Sequence, residues 1–190
     1  DAATPSNNHT SRIFCYYNNG TPTVPSFDFN SNNWLPLATD TLDSKYISFG
    51  DDDGDGDRDL LVGVQNGYLV RFENAASTVN GYAFSDNGEL LKDSNGLTID
   101  VGQFATPQWV DLNEDGLLDL VVGEKNGNVN FYANIGSASA ASYEFREDTL
   151  GGMVATNILG IFGYSVPHFF KHELNEWEVL LGTETGQVNH

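Results

Sequence analysis

The stretch DDDGDGDRDLLVGVQNG at 51–67 returns as DLNEDGLLDLVVGEKNG at 111–127, sixty residues later and without a gap. A chain that repeats at a fixed period folds as units that cannot bury their apolar faces alone and must stack on one another. In this register Asp51 matches Asp111, Asp53 matches Asn113, Asp55 matches Asp115, Gly56 matches Gly116, Asp59 matches Asp119 and Gly63 matches Gly123. The match runs on through Asn66-Gly67 and Asn126-Gly127 to FEN at 72–74 and YAN at 132–134. Two fainter copies flank these. VPHFFKHELNEWEVLLGTETG at 166–186 follows TPQWVDLNEDGLLDLVVGEKNG at 106–127 with one residue deleted from the acidic loop, and FCYYNNGT at 14–21 follows NFYANIGS at 130–137. The chain therefore divides into the second half of a unit (11–45), two full units (46–105 and 106–163) and the first half of a degenerate one (164–190).

Each unit reads as short strands. Pro107 to Val110 forms one, LDLVVG a second, Asn126-Gly127 a two-residue hairpin turn, NVNFYAN a third, and YEF at 143–145 opens a fourth. The runs LLV and LVV place apolar residues at consecutive positions, so these strands are covered on both faces, whereas Val129, Phe131 and Ala133 alternate with other residues. Four-stranded sheets stacked face to face satisfy both patterns, which is the arrangement of β-propeller blades. The expected fold class is all-β, with about three blades in an incomplete ring or a segment of a larger propeller.

The acidic loops share D-x-[DN]-x-D-G-x-x-D, which sets oxygens at alternate positions around a tight turn. Such oxygens suit Ca²⁺, a hard cation that takes six to eight of them. The expected ligands are the side chains of Asp51, Asp53, Asp55 and Asp59 with the carbonyl of Asp57, and those of Asp111, Asn113, Asp115 and Asp119 with the carbonyl of Leu117. Two sites are predicted. Without a cation, two carboxylates about 4 Å apart repel by roughly 1 kcal/mol even in bulk water. An EF-hand begins the same way but requires Glu at position twelve and flanking helices; Val62 and Val122 stand there, within apolar strands.

These loops, with the following L-[LV]-V-G, resemble the FG-GAP/VCBS-type repeats of integrin-α-like β-propellers. The resemblance is specific at 51–63 and 111–123. It implies a calcium-stabilised propeller of the kind found in secreted adhesins, lectins and polysaccharide-binding proteins. Phe49-Gly50 preserves the Phe-Gly pair without a following Gly-Ala-Pro, and Trp109-Val110 replaces it in the second copy. In the last copy Lys171, Glu173 and Asn175 replace the acids and the loop is one residue short, so no calcium is expected there. Closed propellers usually carry four to eight blades, so three units imply further blades from the same or another chain: a longer propeller, a two-chain ring or an open stack.

Lys+Arg number 8 against Asp+Glu 27, a net charge of -19 that repels phosphate backbones and anionic lipid, so nucleic acid and membrane surfaces are poor partners. No apolar run approaches the roughly 20 residues of a membrane span. The start, DAATPSNN, lacks the apolar core of a signal peptide, as in a soluble and already processed chain. Cys15 stands alone, so no disulfide forms within the chain. His168 and His172, with Glu173 nearby, read as an inner strand entering the degenerate loop rather than a zinc cluster. Trp109 and Trp177 read as core, and Trp34 is the candidate exposed aromatic for sugar stacking. Asn8-His9-Thr10 and Asn19-Gly20-Thr21 match the glycosylation pattern, as chance matches do in so Asn- and Thr-rich a chain.

No Ser-His-Asp set, phosphate loop or isolated acid pair is recognisable, so no catalytic residue is assigned. The expected function is an extracellular or cell-surface module for adhesion, ligand binding or assembly, with a glycan or extracellular protein as ligand and a structural metal. Weak calcium sites, with affinities of about 10⁻⁴ to 10⁻³ M, stay filled only outside the cell. The competing expectation is the propeller scaffold of a carbohydrate-active enzyme such as a polysaccharide lyase.

Overall fold

The computed structural model describes residues 13–31, 44–75, 82–84, 88–155, 163–172, 175–184 and 188–189. Trp34, Glu173 and Asn8-His9-Thr10 lie outside them. The described chain is all-β, with no α-helix among the described residues and one 3-10 turn at Leu150–Gly152.

The strands fall into antiparallel sheets in chain order. β1 (Cys15–Asn18) and β2 (Phe27–Ser31) form a two-stranded hairpin. β3 (Tyr46–Gly50), β4 (Asp59–Gly63), β5 (Leu69–Phe72) and β6 (Glu89–Leu90) form a four-stranded sheet. β7 (Thr106–Val110), β8 (Asp119–Gly123), β9 (Val129–Asn134) and β10 (Tyr143–Glu147) form a second one. β11 (Val166–Lys171), β12 (Trp177–Gly182) and β13 (Val188–Asn189) form a three-stranded sheet, and none of the sheets closes on itself.

The consecutive apolar runs account for the packing. Every residue of β4 and β8 is buried. Because side chains alternate across a strand, Leu120 and Val122 point into a cluster with Leu61, Leu69, Trp109 and Tyr143, between the two four-stranded sheets. Val121 points the other way, into a cluster with Val110, Phe169 and Leu181 against the three-stranded sheet. The second sheet is thus covered on both faces.

The first strands of these three sheets lie side by side, with β3 and β11 flanking β7. Trp109 N donates to Ser48 Oγ at 3.2 Å, and Gln108 exchanges two bonds with the Phe169 backbone, Nε2 to O at 2.9 Å and N to Oε1 at 2.7 Å. Close approach is possible because two glycines end the second strands. A Cβ on Gly63 would collide with the Ala105 carbonyl, and one on Gly123 with that of Ser165.

One expectation is corrected. The Asn126-Gly127 pair does not form a two-residue hairpin turn, because the closing bond runs from Gly127 N to Glu124 O at 3.0 Å. Lys125 and Asn126 are therefore the central residues, and Gly127 follows at φ 90°, the left-handed conformation that closes a longer loop. The same bond, Gly67 N to Val64 O at 3.0 Å, and φ 88° at Gly67 recur sixty residues earlier.

Candidate metal centre

Each acidic loop joins the first strand of a four-stranded sheet to the second. It turns tightly because its carboxylates accept the loop's own N–H groups. In the first loop Asp51 accepts from Gly54 N at 2.7 Å and Gly56 N at 3.1 Å, Asp53 from Asp55 N at 3.3 Å, and Asp55 from Asp57 N at 3.0 Å. In the second, Asp111 accepts from Asp115 N and Gly116 N at 3.0 Å each, and Asn113 and Asp115 accept from Asp115 N and Leu117 N at 2.9 Å each. Gly56 and Gly116 sit at φ 97° and 89°, where the chain doubles back.

Oxygens of Asp51, Asp53 and Asp55 lie within 4.8 Å of one another, a spacing that suits a shared cation. In the second loop Asn113 Nδ2 donates to Asp115 Oδ2 at 2.9 Å, which links the two corresponding side chains directly. An all-oxygen donor set of this kind matches a hard divalent cation.

Asp59 and Asp119 carry bonds beyond the loop as well. Asp119 Oδ1 accepts from Asn134 N at 2.8 Å, and Oδ2 accepts from Leu112 N at 3.1 Å and Asn113 N at 3.3 Å. Asp59 Oδ1 accepts from Asn74 N at 2.9 Å, and Oδ2 from Arg71 Nη2 at 2.8 Å. Both acids therefore tie the loop to the third strand, and Asp59 shares its oxygen grouping with Asp53 and Glu73 rather than with Asp51 and Asp55. Burial raises the Asp119 carboxyl above its ordinary value, against the three N–H groups that lower it.

Asn74 and Asn134 complete this clasp and escaped the reading of the sequence. Their side-chain amides donate to the carbonyls of Arg58 and Leu118, at 3.2 Å in both loops. Their carbonyls accept from Ala83 N at 2.9 Å and from Ser142 N at 3.0 Å. The available signal was the final Asn of FEN and YAN.

The first loop also carries a charged cluster that the second lacks. Arg71 Nε donates to Asp52 at 2.7 Å and Nη2 to Asp53 at 3.4 Å, while Nη1 pairs with Glu73. Sixty residues on, Asp52, Arg71 and Glu73 become Leu112, Phe131 and Ala133. Burial and the hydrogen bond with Asp59 push Asp52 up to about 8, against the pull of Arg71. Burial and the bond with Asp53 push Glu73 up to about 7. Burial is the leading cause in both, and the neighbouring carboxylate charges add to it.

This cluster borders a cavity of about 790 Å³ that also takes in Glu89, Lys92, Ser139 and Tyr143. Tyr143 OH accepts from Trp109 Nε1 at 2.9 Å, and burial raises its phenol well above the ordinary range. A smaller groove of about 400 Å³ runs along β3, β7 and β11, past Ile47, Phe49, Gln108 and His168.

Trp109 is core, whereas Trp177 is half-buried beneath Lys171, whose Nζ stands 5.0 Å from the ring centre. His168 and His172 are both exposed. Asn19 lies on the β1–β2 loop, where its Nδ2 donates to Asp28 at 2.7 Å. Comparison with protein-family models, with curated proteins and with solved structures gives no match.

Proposed function

We propose that this chain is a calcium-stabilised β-propeller segment, related to FG-GAP/VCBS-type repeats, that works outside the cell as a binding or assembly module. The observation that carries the reading is the recurrence of one loop geometry sixty residues apart, with the oxygens of Asp51, Asp53 and Asp55 within 4.8 Å in the first copy. Calcium would be held by Asp51, Asp53 and Asp55 in one loop and by Asp111, Asn113 and Asp115 in the other. It would offset the repulsion among these groups and lock the turn between the first two strands. Asp59 and Asp119, through Asn74 and Asn134, hold the loop against the third strand. The metal is structural in this reading, and a glycan or extracellular protein is the ligand.

The testing experiment is a calorimetric calcium titration of chelator-treated protein, with the melting temperature followed on the same sample. Two sites and a calcium-dependent rise support the reading, while absence of binding rejects it.

A second reading, the scaffold of a polysaccharide-active enzyme, draws on the cavity where Arg71, Asp52, Asp53 and Tyr143 converge. The four carboxylates on Arg71 weigh against it, since they already pair the guanidinium at the cavity and leave Lys92 as its other lining cation. Cleavage of an acidic polysaccharide, measured with and without calcium, separates an enzyme from a binding module.

A further inference from the structure

Of the three acids whose oxygens converge in the first loop, Asp53 alone is bonded, among the described residues, to side chains outside the loop. Its Oδ2 accepts from Arg71 Nη2 at 3.4 Å, and it shares a side-chain hydrogen bond with Glu73. Asp51 accepts from Gly54 N and Gly56 N, and Asp55 from Asp57 N, all within the loop. Asp53 therefore stands in two oxygen groupings at once, one with Asp51 and Asp55 and one with Asp59 and Glu73. The first grouping suits a metal ion, and the second already surrounds the Arg71 guanidinium. We propose that Arg71 competes with calcium for Asp53 and so holds down the affinity of the first loop, a restraint the second loop lacks. This rests on the calcium reading above and adds to it a residue that regulates one site of the two.

Arg71 is a fixed cation rather than a mobile surface one. It leaves β5, whose other three residues are buried, and its backbone is paired on both sides, with Leu61 of β4 and Glu89 of β6. Its side chain is 20% exposed. Nε donates to Asp52 at 2.7 Å and Nη2 to Asp59 at 2.8 Å, and Nη1 pairs with Glu73. A planar guanidinium held by three acids keeps its place when a fourth leaves. That fourth acid is Asp53, at 3.4 Å the longest of the four contacts. Calcium can therefore draw Asp53 away without unseating Arg71, but the positive charge it meets stays in place.

The second loop shows the same turn without the restraint. Phe131 stands for Arg71 and Asn113 for Asp53. Phe131 packs against the apolar cluster of Val110, Val121 and Phe169 and brings no charge to the loop. The Asn113 amide turns to a neighbour inside the loop, Asp115 Oδ2 at 2.9 Å. Carboxylate and guanidinium are thus present together in one copy and absent together from the other.

A count of carboxylates alone makes the first loop the stronger site, since ligand charge raises calcium affinity. The guanidinium works against that count. A divalent and a monovalent cation about 6 Å apart repel in bulk water by enough to weaken binding about tenfold. Such coupling is reciprocal, so calcium weakens the hold of Arg71 on Asp53 by the factor that Arg71 weakens calcium.

The experiment titrates calcium by calorimetry into the chelator-treated chain carrying Asp111→Ala, which silences the second loop and leaves one site to read. Adding Arg71→Gln, which keeps a polar side chain without the charge, is expected to tighten that site about tenfold. With Asp53→Asn also present, the same substitution is expected to change the affinity about threefold or less, because the shared carboxylate is gone. Unchanged or weaker binding in Arg71→Gln overturns the proposal, as does a gain of full size that survives Asp53→Asn. Loss of the guanidinium also costs stability, so a second measurement uses the wild-type chain, with nitrogen NMR of the arginine side chains followed through a calcium titration. The Arg71 Nη signal is expected to move as the first loop fills, while Nε, held by Asp52, stays. Arg71 signals that do not respond while the Gly54 and Gly56 amides do overturn the proposal without any variant. Calcium binding that Arg71→Gln leaves unchanged removes the competition alone, whereas absence of calcium binding in the wild-type chain rejects the metal reading as well.

Discussion

The backbone N–H of Asn134 donates to Asp119 Oδ1 at 2.8 Å, and the pair sits fully inside the second sheet. Hydrogen bonds to a charged acceptor contribute about 1.5–3 kcal/mol, and Asp119 accepts three of them. Asp119→Asn is therefore expected to lose about 2–3 kcal/mol in urea unfolding. These three bonds come from backbone donors and not from a metal, so the loss is expected in chelator as well as in calcium. A loss seen in calcium alone would make Asp119 a metal ligand instead.

The charged cluster of the first sheet makes a sharper case. Arg71→Met leaves Asp52 and Asp59 buried without their cation, which costs about 3–5 kcal/mol for a broken buried pair. The second sheet supplies the remedy, since Leu112, Phe131 and Ala133 fill the same positions without charge. Asp52→Leu/Arg71→Phe/Glu73→Ala is expected to recover most of that loss. If the triple variant unfolds as readily as Arg71→Met, the two sheets do not pack equivalently.

These residues also show what was legible in the sequence. LLV and LVV required strands covered on both faces, and β4 and β8 are buried throughout. The alternate oxygens of 51–55 announced a convergent loop, and Asp51, Asp53 and Asp55 do converge. The bonds of Asp59 and Asp119 to Asn74 and Asn134 were not legible, because these partners lie fifteen residues away, and a spacing pattern within one loop carries no information about them. The Arg71 cluster was written only as a difference between copies. Asp52, Arg71 and Glu73 depart together from Leu112, Phe131 and Ala133, and a search for similarity passes over coordinated departures.

Two glycines of the second unit separate steric from conformational need. Gly123 has an ordinary φ but no room for a Cβ, whereas Gly116 has open space and φ 89°. Gly123→Ala is expected to cost about 1–3 kcal/mol by overpacking against the Ser165 backbone. Gly116→Ala costs about 1–2 kcal/mol through its left-handed conformation, and Gly116→Asn, which adopts that conformation more readily, recovers part of it. Chemical unfolding of the three variants is the check; an undisturbed Gly123→Ala protein would contradict the close approach of β8 to 165.

Glu124 links stability to pH. It is buried, and its carboxylate accepts from Asn126 N at 2.7 Å and Asn128 N at 3.3 Å. Burial nevertheless raises it above the ordinary 4.5. Between that value and the raised one the folded chain binds a proton that the unfolded chain releases, so this group adds stability as pH falls through the window and loses it as pH rises. Glu124→Gln removes the titration. The stability difference between wild type and variant is expected to shift in favour of wild type as pH is lowered towards 4.5. A difference independent of pH would mean that Glu124 is as well solvated folded as unfolded.

Asp55 and Asp115 test the metal most directly. Each is exposed and accepts one backbone N–H of the loop, at 3.0 and 2.9 Å, and Asp115 also accepts from Asn113 Nδ2 at 2.9 Å, so removing the side chain disturbs little outside the oxygen cluster. In chelator Asp55→Ala is expected to melt near wild type, because the lost N–H bond and the relieved repulsion oppose each other. In calcium it is expected to melt lower, by roughly 2–4 °C for each kcal/mol of binding-linked stability lost in a chain of this size. Asp115→Ala behaves alike if the second loop is equivalent. The pair of conditions matters more than either temperature: a deficit that appears only in calcium identifies a ligand, an equal deficit in both identifies a turn residue, and no deficit in calcium for either variant removes the metal from the structural role assigned to it.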